Sequence, residues 1–428
     1  MKEILNVGIL GYGTVGSGVV HILQDHSNKI SQITGYKIKI KKVLVRDLEK
    51  ERKYCSEDFL ITDNADEILN DKNISIVVEV MGSVDTAREY ILRALNSGKH
   101  VITANKDLIS LHGDELILAA QQNSCDLYFE ASVAGGIPIL RTIVNGLAAD
   151  KIQKVMGIIN GTTNYMLTKM KEEKKTYEEA LEEAQNLGFA EADPTNDVDG
   201  IDAARKLSIL TRLAFGMNVE LKDIDTVGIR NLKLEDFQKA DELEYVIKLV
   251  GIAEEIEGCV DVRVGPVFIP KNHPLAGVSN ENNAVFVKGA TVGETMFYGP
   301  GAGELPTATS VVSDIICVAK NKKMGINGCL FNSYIHETKK ASNSQVFSKY
   351  YLRFLLKDRS YSFLKLMELF SENSVEYEKV LQDSLEENGA IITIITSKTS
   401  QEQILNIIKR LNSDSDLITL EAKYEVIK

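Results

Sequence analysis

Positive charge, cysteine and long apolar runs are all scarce in this chain, and each scarcity argues against a class of protein. The 428 residues carry a formal net charge of -12, which argues against general nucleic-acid binding because that requires a basic surface to displace counterions. The five cysteines are scattered and lack CxxC spacing, so we expect reduced thiols, not disulfides or a zinc site: Cys55, Cys125, Cys259, Cys317 and Cys329. No apolar run approaches the roughly 18 residues of a membrane helix, and the N-terminus shows no cleavable apolar segment. We therefore expect a cytoplasmic protein that binds neither nucleic acid nor membrane.

A glycine-rich turn near the N-terminus carries the first positive signal. The apolar run at residues 4–10 precedes Gly11-Tyr-Gly13-Thr-Val-Gly16, which opens a helical pattern. Gly11 permits a tight turn, Gly13 lets the backbone approach a pyrophosphate, and Gly16 allows close packing of helix on strand. The strand before and the helix after favour a dinucleotide site over a plain structural turn. The predicted cofactor-binding residues here are Gly11, Tyr12, Gly13, Thr14, Val15 and Gly16.

The end of the second predicted strand, residues 38–45, bears on which nicotinamide cofactor is used. It is followed by Arg46 and Asp47. An acid at this place would bind the ribose 2′-hydroxyl of NAD, whereas an arginine would pair with the 2′-phosphate of NADP. Because Arg46 comes first, we expect NADP, with NAD permitted; a solvated strand end is the alternative. Arg46 and Asp47 follow the glycines by more residues than is usual in such domains, which implies a long first helix or a surface insertion.

Further strands alternate with helices, which predicts a doubly wound parallel sheet of the Rossmann type. Strands at residues 74–80, 99–104 and 127–131 are each followed by a loop. Ligands of such sheets collect beyond the carboxyl ends of the strands, where Gly82, Thr103 and Lys106 lie. Lys106 is therefore a candidate functional residue, although a lone loop lysine is more commonly a surface charge.

Two loops in the following region could bind anions. Gly161-Thr-Thr-Asn164 follows a predicted strand and opens a helix, so it either supplies uncharged donors to a carboxylate or serves as a plain helix cap. The glycine loop around Gly303 precedes a predicted helix at residues 307–319, and could offer backbone amides to an anion or be only a turn.

The stretch from Glu191 to Lys206 gathers acids, a turn glycine and a lysine where a loop enters a helix. Asp202 and Lys206 are four residues apart and would share a helical face, as an ordinary surface ion pair or as part of a site for a small zwitterion. A calcium loop starting at Thr195 is excluded because Lys206 would occupy the twelfth position, where a bidentate glutamate is needed.

Four segments together resemble homoserine dehydrogenases. They are Gly11-Tyr-Gly-Thr-Val-Gly16, Thr103-Ala-Asn-Lys106, Gly161-Thr-Thr-Asn164 and Asp197-Val-Asp-Gly-Ile-Asp-Ala-Ala-Arg-Lys206. The resemblance covers nearly the whole chain. It implies NAD(P)-dependent interconversion of L-homoserine and L-aspartate 4-semialdehyde, a step toward threonine, methionine and isoleucine. No kinase-like segment precedes Met1, so a monofunctional enzyme is expected.

The resemblance also implies roles for individual residues. Lys206 resembles the family's proton donor and Lys106 its second lysine at the reacting oxygen. Glu191 and Asp202 match the groups that hold the substrate ammonium, and the predicted substrate site further includes Asp197, Thr163 and Gly161. Gly188 and Gly303 fall where the family contacts cofactor. A sodium or potassium site would map to Glu130, Val133, Gly135 and Ile137. The family implies a homo-oligomer, a dimer or tetramer, formed through the second domain.

The C-terminal region shows a β-α-β-β-α-β order that predicts a ferredoxin-like domain and resembles an ACT domain. Such modules often bind amino acids, which suggests threonine as an effector. Here Asp358-Arg-Ser-Tyr-Ser362 replaces the family's glycine-containing turn, so a purely structural or dimerising module is the alternative.

The predicted organisation is an α/β Rossmann-type domain at residues 1–145 closed by 305–325, followed by an α+β catalytic and dimerisation domain at 146–330. A linker at 331–349 leads to the ferredoxin-like α+β domain at 350–428. Two rival functions fit the sequence less well. Phosphorylating oxidation of aspartate 4-semialdehyde would need an activated cysteine, for which there is no motif. A non-catalytic amino-acid sensor would not need Lys206.

Overall fold

A computed structural model of the chain describes residues 3–54, 58–328, 338–357, 359–384, 389–414 and 417–427. Cys55, Cys329, Asp358 and residues 331–337 of the predicted linker lie outside these ranges. The chain divides into two compact units. The first comprises Met1–Ile152, Arg205–Leu221 and Asn282–Glu337, and the second comprises Gln153–Ala204, Lys222–Glu281 and Thr338–Lys428, as far as these ranges are described. The described part contains no helix long and apolar enough to cross a membrane.

The first unit contains a parallel sheet of six strands. From one edge to the other they are Leu60–Thr62, Lys37–Leu44, Ile4–Leu10, Ile74–Glu79, His100–Thr103 and Leu127–Tyr128. After the central strand Ile4–Leu10, the next two strands are added on one side of it, and the following three are added on its other side. This order creates a switch point between Ile4–Leu10 and Ile74–Glu79, where the loops after two adjacent strands diverge and leave a crevice. The predicted doubly wound sheet is confirmed.

Helices connect these strands, and their bounds explain the long spacing between the glycines and Arg46. Two consecutive helices, Thr14–Asp25 and Ser27–Thr34, fill the first crossover. The other helices of this sheet are Asp66–Leu69, Asp85–Asn96 and Lys106–Gln122, and Glu304–Met324 packs on Thr14–Asp25 at Gly18. The predicted helix at residues 307–319 is thus longer at both ends.

The last predicted strand of this sheet is shorter than expected. It ends at Tyr128, and Glu130–Ser132 forms a 3-10 turn. Strand pairing stops because the buried Glu130 carboxylate turns to the backbone amides of Leu140 and Arg141. Short helical segments follow at Ile139–Arg141 and Thr142–Gly146, and the unit also contains a hairpin of Asn282–Gly289 and Gly293–Pro300.

The second unit contains a mixed sheet. Its strands, in spatial order, are Ile152–Ile158, Tyr245–Ile256, Cys259–Pro270, Ile418–Val426, Phe347–Leu356, Ala390–Thr396 and Tyr377–Ser384. The helices before residue 300 are Gly161–Glu172, Tyr177–Asn186, Thr195–Val198 and Leu234–Glu242. Helix Ile201–Phe215 begins in this unit and continues in the first. Thr176 and Glu179 form the predicted capping box.

The last four of these strands form the C-terminal subdomain together with helices Arg359–Glu372 and Gln401–Asp414. Their β-α-β-β-α-β order and their antiparallel pairing are the ferredoxin-like arrangement predicted from the sequence. Apolar residues such as Leu352, Phe354 and Ile404 fill the space between sheet and helices. In the described part of the predicted linker, Lys339–Lys340 pairs with Cys259–Val260, and the next strand already begins at Phe347.

Candidate functional site

The glycine turn has the backbone geometry that a bound pyrophosphate requires. Gly11 has φ +108°, and a Cβ there would lie 2.8 Å from the Val80 carbonyl oxygen. A Cβ on Gly16 would lie 2.2 Å from the Gly11 carbonyl oxygen, so Gly16 allows the close packing of helix on turn. Gly13 is different, because a Cβ there would meet no atom within 4 Å. The first turn of helix Thr14–Asp25 carries no acid, which leaves its N-terminal amides available to an anion.

A cavity of about 840 Å³ lies beside this turn. Its walls come from the glycine turn, the end of the second strand and the loop after the fourth: Gly11, Tyr12, Gly13, Leu44, Val45, Arg46, Asp47, Lys50, Arg52, Asp63, Val80, Met81, Ser83, Thr86 and Tyr90. Arg46, Lys50 and Arg52 supply three cations. The Arg52 guanidinium lies 5.7 Å from the centre of the Tyr12 ring. Size, glycine backbone and cations fit a nicotinamide dinucleotide.

Four predicted cofactor residues line this cavity, namely Gly11, Tyr12, Gly13 and Arg46. Thr14, Val15 and Gly16 continue the turn into its helix, and Gly82 lies between the lining residues Met81 and Ser83. Gly303 precedes helix Glu304–Met324 with φ +114°. Gly188 belongs to the second unit, in a left-handed turn after helix Tyr177–Asn186.

A buried carboxylate that sequence reasoning missed connects two loops at this edge of the sheet. Glu79 ends its strand fully buried, accepts the Thr103 hydroxyl at 2.5 Å and the Met81 amide at 2.7 Å, and has no cationic partner among the described residues. Burial raises its pKa, whereas these hydrogen bonds act in the opposite direction. The Thr103 hydroxyl accepts the Asn105 amide at 3.0 Å. Glu79 thereby joins the cavity wall to the start of the helix that carries Lys106.

Lys106 and Lys206 lie on two helices that contact each other within the first unit. Lys106 is the first residue of helix Lys106–Gln122, whose N-terminus is capped by the Asn105 side chain accepting the Leu108 amide at 3.1 Å. Lys206 lies in the part of helix Ile201–Phe215 that belongs to the same unit. Their direct neighbours Asp107 and Arg205 form an ion pair at 3.2 Å. Both lysines are half-buried, which suits groups that must meet a small molecule.

In the second unit, one amide side chain brings together two of the predicted acids. Asn160 donates to Asp197 Oδ1 at 2.6 Å and to Asp202 Oδ2 at 2.9 Å. The side-chain oxygen Oδ1 of Asn160 accepts the backbone amide and the hydroxyl of Thr163, both at 2.8 Å. Gly161 lies against the backbone of Glu281, where a Cβ would come within 2.7 Å of the carbonyl oxygen. The predicted substrate residues Gly161, Thr163, Asp197 and Asp202 therefore form one cluster around Asn160.

Glu191 lies outside this hydrogen-bonded cluster. It is exposed in the loop between helices Tyr177–Asn186 and Thr195–Val198, and its backbone oxygen accepts the Gln185 side-chain amide at 3.1 Å. Asp202 is only 6% exposed and lies one turn before Lys206 on helix Ile201–Phe215. The alternating acids of this stretch therefore differ strongly in burial, which their spacing did not reveal.

The predicted cation site contains oxygen donors. Glu130 is buried, and its carboxylate accepts the Leu140 and Arg141 amides at 2.8 and 2.9 Å. Arg141 is shared between Glu130, 3.7 Å away, and the buried Asp314. Burial raises the pKa of Glu130 and raises that of Asp314 to about 8. Two carboxylates beside one guanidinium leave a negative charge that a proton or a monovalent cation could balance.

Backbone carbonyls would have to complete this site. Among the described residues, no group of three or more His, Cys, Asp or Glu side chains could hold a metal ion. The Gly135 oxygen accepts the Ser310 hydroxyl at 2.7 Å, and the Ile137 oxygen accepts the Ile139 amide at 2.8 Å. Each carbonyl retains a second lone pair, and carbonyl oxygens are the kind of ligand that hard cations take.

Comparison with known proteins identifies the family. The family model described as homoserine dehydrogenase matches residues 138–316, and that described as its NAD binding domain matches residues 11–130. A homoserine dehydrogenase of Bacillus subtilis is 49% identical, covering 100% of this chain and 99% of its own length, and one of Lactococcus lactis is 44% identical, covering 96% and 97%.

Solved structures agree with the relatives. A homoserine dehydrogenase from Thiobacillus denitrificans superposes with a TM-score of 0.94 at 35% identity, covering 100% of both chains. A hyperthermophilic archaeal homoserine dehydrogenase in complex with NADPH has a TM-score of 0.61 at 28% identity, covering 74% of this chain and 97% of its own. With matches along its whole length, the chain belongs to the homoserine dehydrogenases, oxidoreductases that use a nicotinamide cofactor to interconvert L-aspartate 4-semialdehyde and L-homoserine.

Proposed function

We propose that Lys206 donates the proton to the reacting oxygen and that Lys106 stabilises the charge on the same oxygen. When an aldehyde is reduced, its oxygen gains negative charge, and a protonated amine can neutralise that charge and deliver a proton. A nicotinamide cofactor, when bound, would supply or accept the hydride. The observation that carries this proposal is the contact between the two lysine-bearing helices through Asp107 and Arg205. In the direction of homoserine oxidation the donor must act as a base, so we expect the rate to rise at alkaline pH.

Substitution of Lys206 tests the proton-donor role. We expect Lys206→Met to lower kcat by about 100-fold or more, in the range of lost general acid catalysis, with cofactor affinity nearly unchanged. Homoserine-dependent reduction of NADP and of NAD measures kcat, and nucleotide fluorescence measures affinity. Lys171→Met, at the end of a different helix, is the matched control. Wild-type turnover in Lys206→Met would rule out this role.

For substrate binding, we infer that Asp202 and Glu191 bind the ammonium and that Gly161 and Thr163 face the carboxylate. For Asp202 the support is that the Asn160 side-chain nitrogen bonds both Asp197 and Asp202, because two neighbouring carboxylates attract an ammonium strongly where water is scarce. Glu191 is included on the family resemblance alone. Asp202→Asn should raise KM for homoserine more than it lowers kcat. An unchanged KM would contradict ammonium binding.

We infer a preference for NADP over NAD. Arg46, Lys50 and Arg52 stand together at the cavity wall after the second strand, and three cations suit a 2′-phosphate better than a ribose hydroxyl. Asp47 lines the same wall, so NAD remains usable. The ratio of kcat/KM for the two nucleotides measures the preference.

A monovalent cation at Glu130, Val133, Gly135 and Ile137 is a separate proposal, supported by the oxygen donors and shared guanidinium described above. Replacing sodium and potassium with tetramethylammonium at constant ionic strength should lower the Tm. Glu130→Gln should abolish the response to sodium or potassium. An identical Tm in all three salts would reject the site.

We also propose that the protein forms a homodimer and that threonine regulates it. Strand Gly293–Pro300 is the end strand of its sheet in the described part of the chain. It alternates exposed and half-buried residues and exposes Met296 and Tyr298, which supports a homodimer through this edge. Light scattering tests this. Threonine could act through the C-terminal subdomain, and titrating it against activity tests that role. Absence of inhibition would favour a structural role, supported by the bidentate ion pair that joins Arg263 of strand Cys259–Pro270 to Glu425 of strand Ile418–Val426.

A further inference from the structure

Three polar pairs connect the two lysine-bearing helices of the first unit, and we call this set the polar ladder. The pairs are Asp107 with Arg205, Ser110 with Ser208, and Asp114 with Arg212. The members follow the same spacing on both helices, three residues and then four. This is the spacing of one face of an α-helix, so the ladder fixes how the two helices are aligned along their length.

The ladder has a proximal end and a distal end relative to the lysines. Lys106 directly precedes Asp107, and Lys206 directly follows Arg205. The side chains of the proximal pair are about a quarter exposed, so the pair is only partly screened by solvent. The distal pair lies two helical turns away, where Asp114 is exposed and also accepts the Asn218 side-chain amide at 2.8 Å.

We propose that Asp107 and Arg205 are positioning residues that set the distance between the Lys106 and Lys206 amines. This inference rests on the proposed role of the two lysines. Residues next to each other on a helix differ by about 100° in direction and 1.5 Å in rise. If one helix slid or rotated against the other and loosened the proximal pair, the distance between the two amines would therefore change. Displacements near 1 Å of groups around a reacting atom can cost about 100-fold in rate.

The ladder offers its own matched controls. Arg205→Gln and Asp107→Asn remove the proximal pair, whereas Arg212→Gln and Asp114→Asn remove the distal pair from the same two helices. We expect the proximal variants to lower kcat by about 10- to 100-fold with cofactor affinity within about twofold of wild type. The pH at which their kcat for homoserine oxidation rises on the alkaline side should also change. The distal variants should lower the Tm by a similar amount and keep kcat within about threefold of wild type.

A double variant and Lys206→Met separate the outcomes. If the pair acts as a unit, Asp107→Asn combined with Arg205→Gln should be no slower than either single variant, and Arg205→Lys should restore part of kcat. Wild-type kcat in the proximal variants, or equal losses at both ends of the ladder, would overturn the positioning role. If Lys206→Met keeps its rate, the proposed proton donor fails instead, whatever the ladder variants show.

Discussion

Replacing Gly13 with alanine separates cofactor binding from folding at the glycine turn. Gly13 has φ -86° and ψ -153°, which an alanine can adopt, and a Cβ there would meet no atom within 4 Å. Alanine restricts the unfolded chain, which stabilises the fold by about 0.4–1 kcal/mol. It is a poorer N-cap than glycine, which costs a similar amount, roughly 0.5–1 kcal/mol. The two effects nearly cancel, so the Tm should move by no more than about 4 °C.

Cofactor affinity should respond quite differently. The space that the new methyl group would occupy is open to the cavity, and the pyrophosphate needs that space to reach the amides at the helix N-terminus. Losing one hydrogen bond to a charged group costs about 1.5–3 kcal/mol. This corresponds to an increase in Kd of about 10- to 150-fold.

Two other glycines calibrate the experiment. Gly277 also has open space at its Cβ position, and Gly277→Ala should leave Kd unchanged and raise the Tm by about 4 °C at most. At Gly16 a Cβ would lie 2.2 Å from a backbone oxygen, so Gly16→Ala should lower the Tm strongly. Fluorescence titration with NADPH and NADH and thermal unfolding give both quantities. A Kd for Gly13→Ala within about twofold of wild type would refute pyrophosphate binding at this turn.

Three further predictions address specificity, pH dependence and loop geometry. Arg46→Glu should shift the kcat/KM ratio toward NAD by at least about tenfold, because one bond to a 2′-phosphate is lost and a repulsion is gained; an unchanged ratio would remove Arg46 from cofactor selection. Burial lowers the pKa of Lys248 from 10.5 to about 8, and repulsion from Lys171 contributes a smaller part. The folded chain therefore releases this proton at a lower pH than the unfolded chain does. As the pH rises from 8 to 10.5, the free energy of unfolding of the wild type should therefore increase relative to that of Lys248→Met, by up to about 3 kcal/mol. If the difference in urea midpoint between wild type and variant is the same at pH 7.5 and at pH 10, the prediction is wrong. Glu79→Gln should leave one donor of Thr103 or Met81 without an acceptor, costing about 1–3 kcal/mol of stability and weakening cofactor binding; a lower Tm with unchanged Kd would limit Glu79 to a structural role.

Much of the fold could be predicted because its signals are local. A strand, three glycines and a helix lie within 22 residues, from Ile4 to Asp25, and each glycine has a steric reason that can be stated from the sequence. The capping box at Thr176 and the β-α-β-β-α-β order of the C-terminal subdomain depend on patterns only a few residues long. The strand ending at Tyr128 was predicted too long, because Glu130 leaves the sheet for partners ten residues further along the chain.

The site was only partly predictable, since its supporting contacts join residues far apart in sequence. Asn160 directly precedes the predicted turn Gly161-Thr-Thr-Asn164, yet its side chain donates to Asp197 and Asp202, 37 and 42 residues away. The hydrogen bond that joins Glu79 to Thr103 has one sign in the sequence, namely a glutamate at the end of an apolar strand.

By itself the sequence determined the cofactor turn, the kinds of strand and helix, and the family, because these depend on residue types at short and regular spacings. Only the tertiary structure decided which polar groups meet. Asp107 and Arg205 are ordinary charged residues in two separate helical patterns, 98 residues apart in the sequence. They become partners only because the fold packs the two helices together, which brings them to 3.2 Å beside the two lysines.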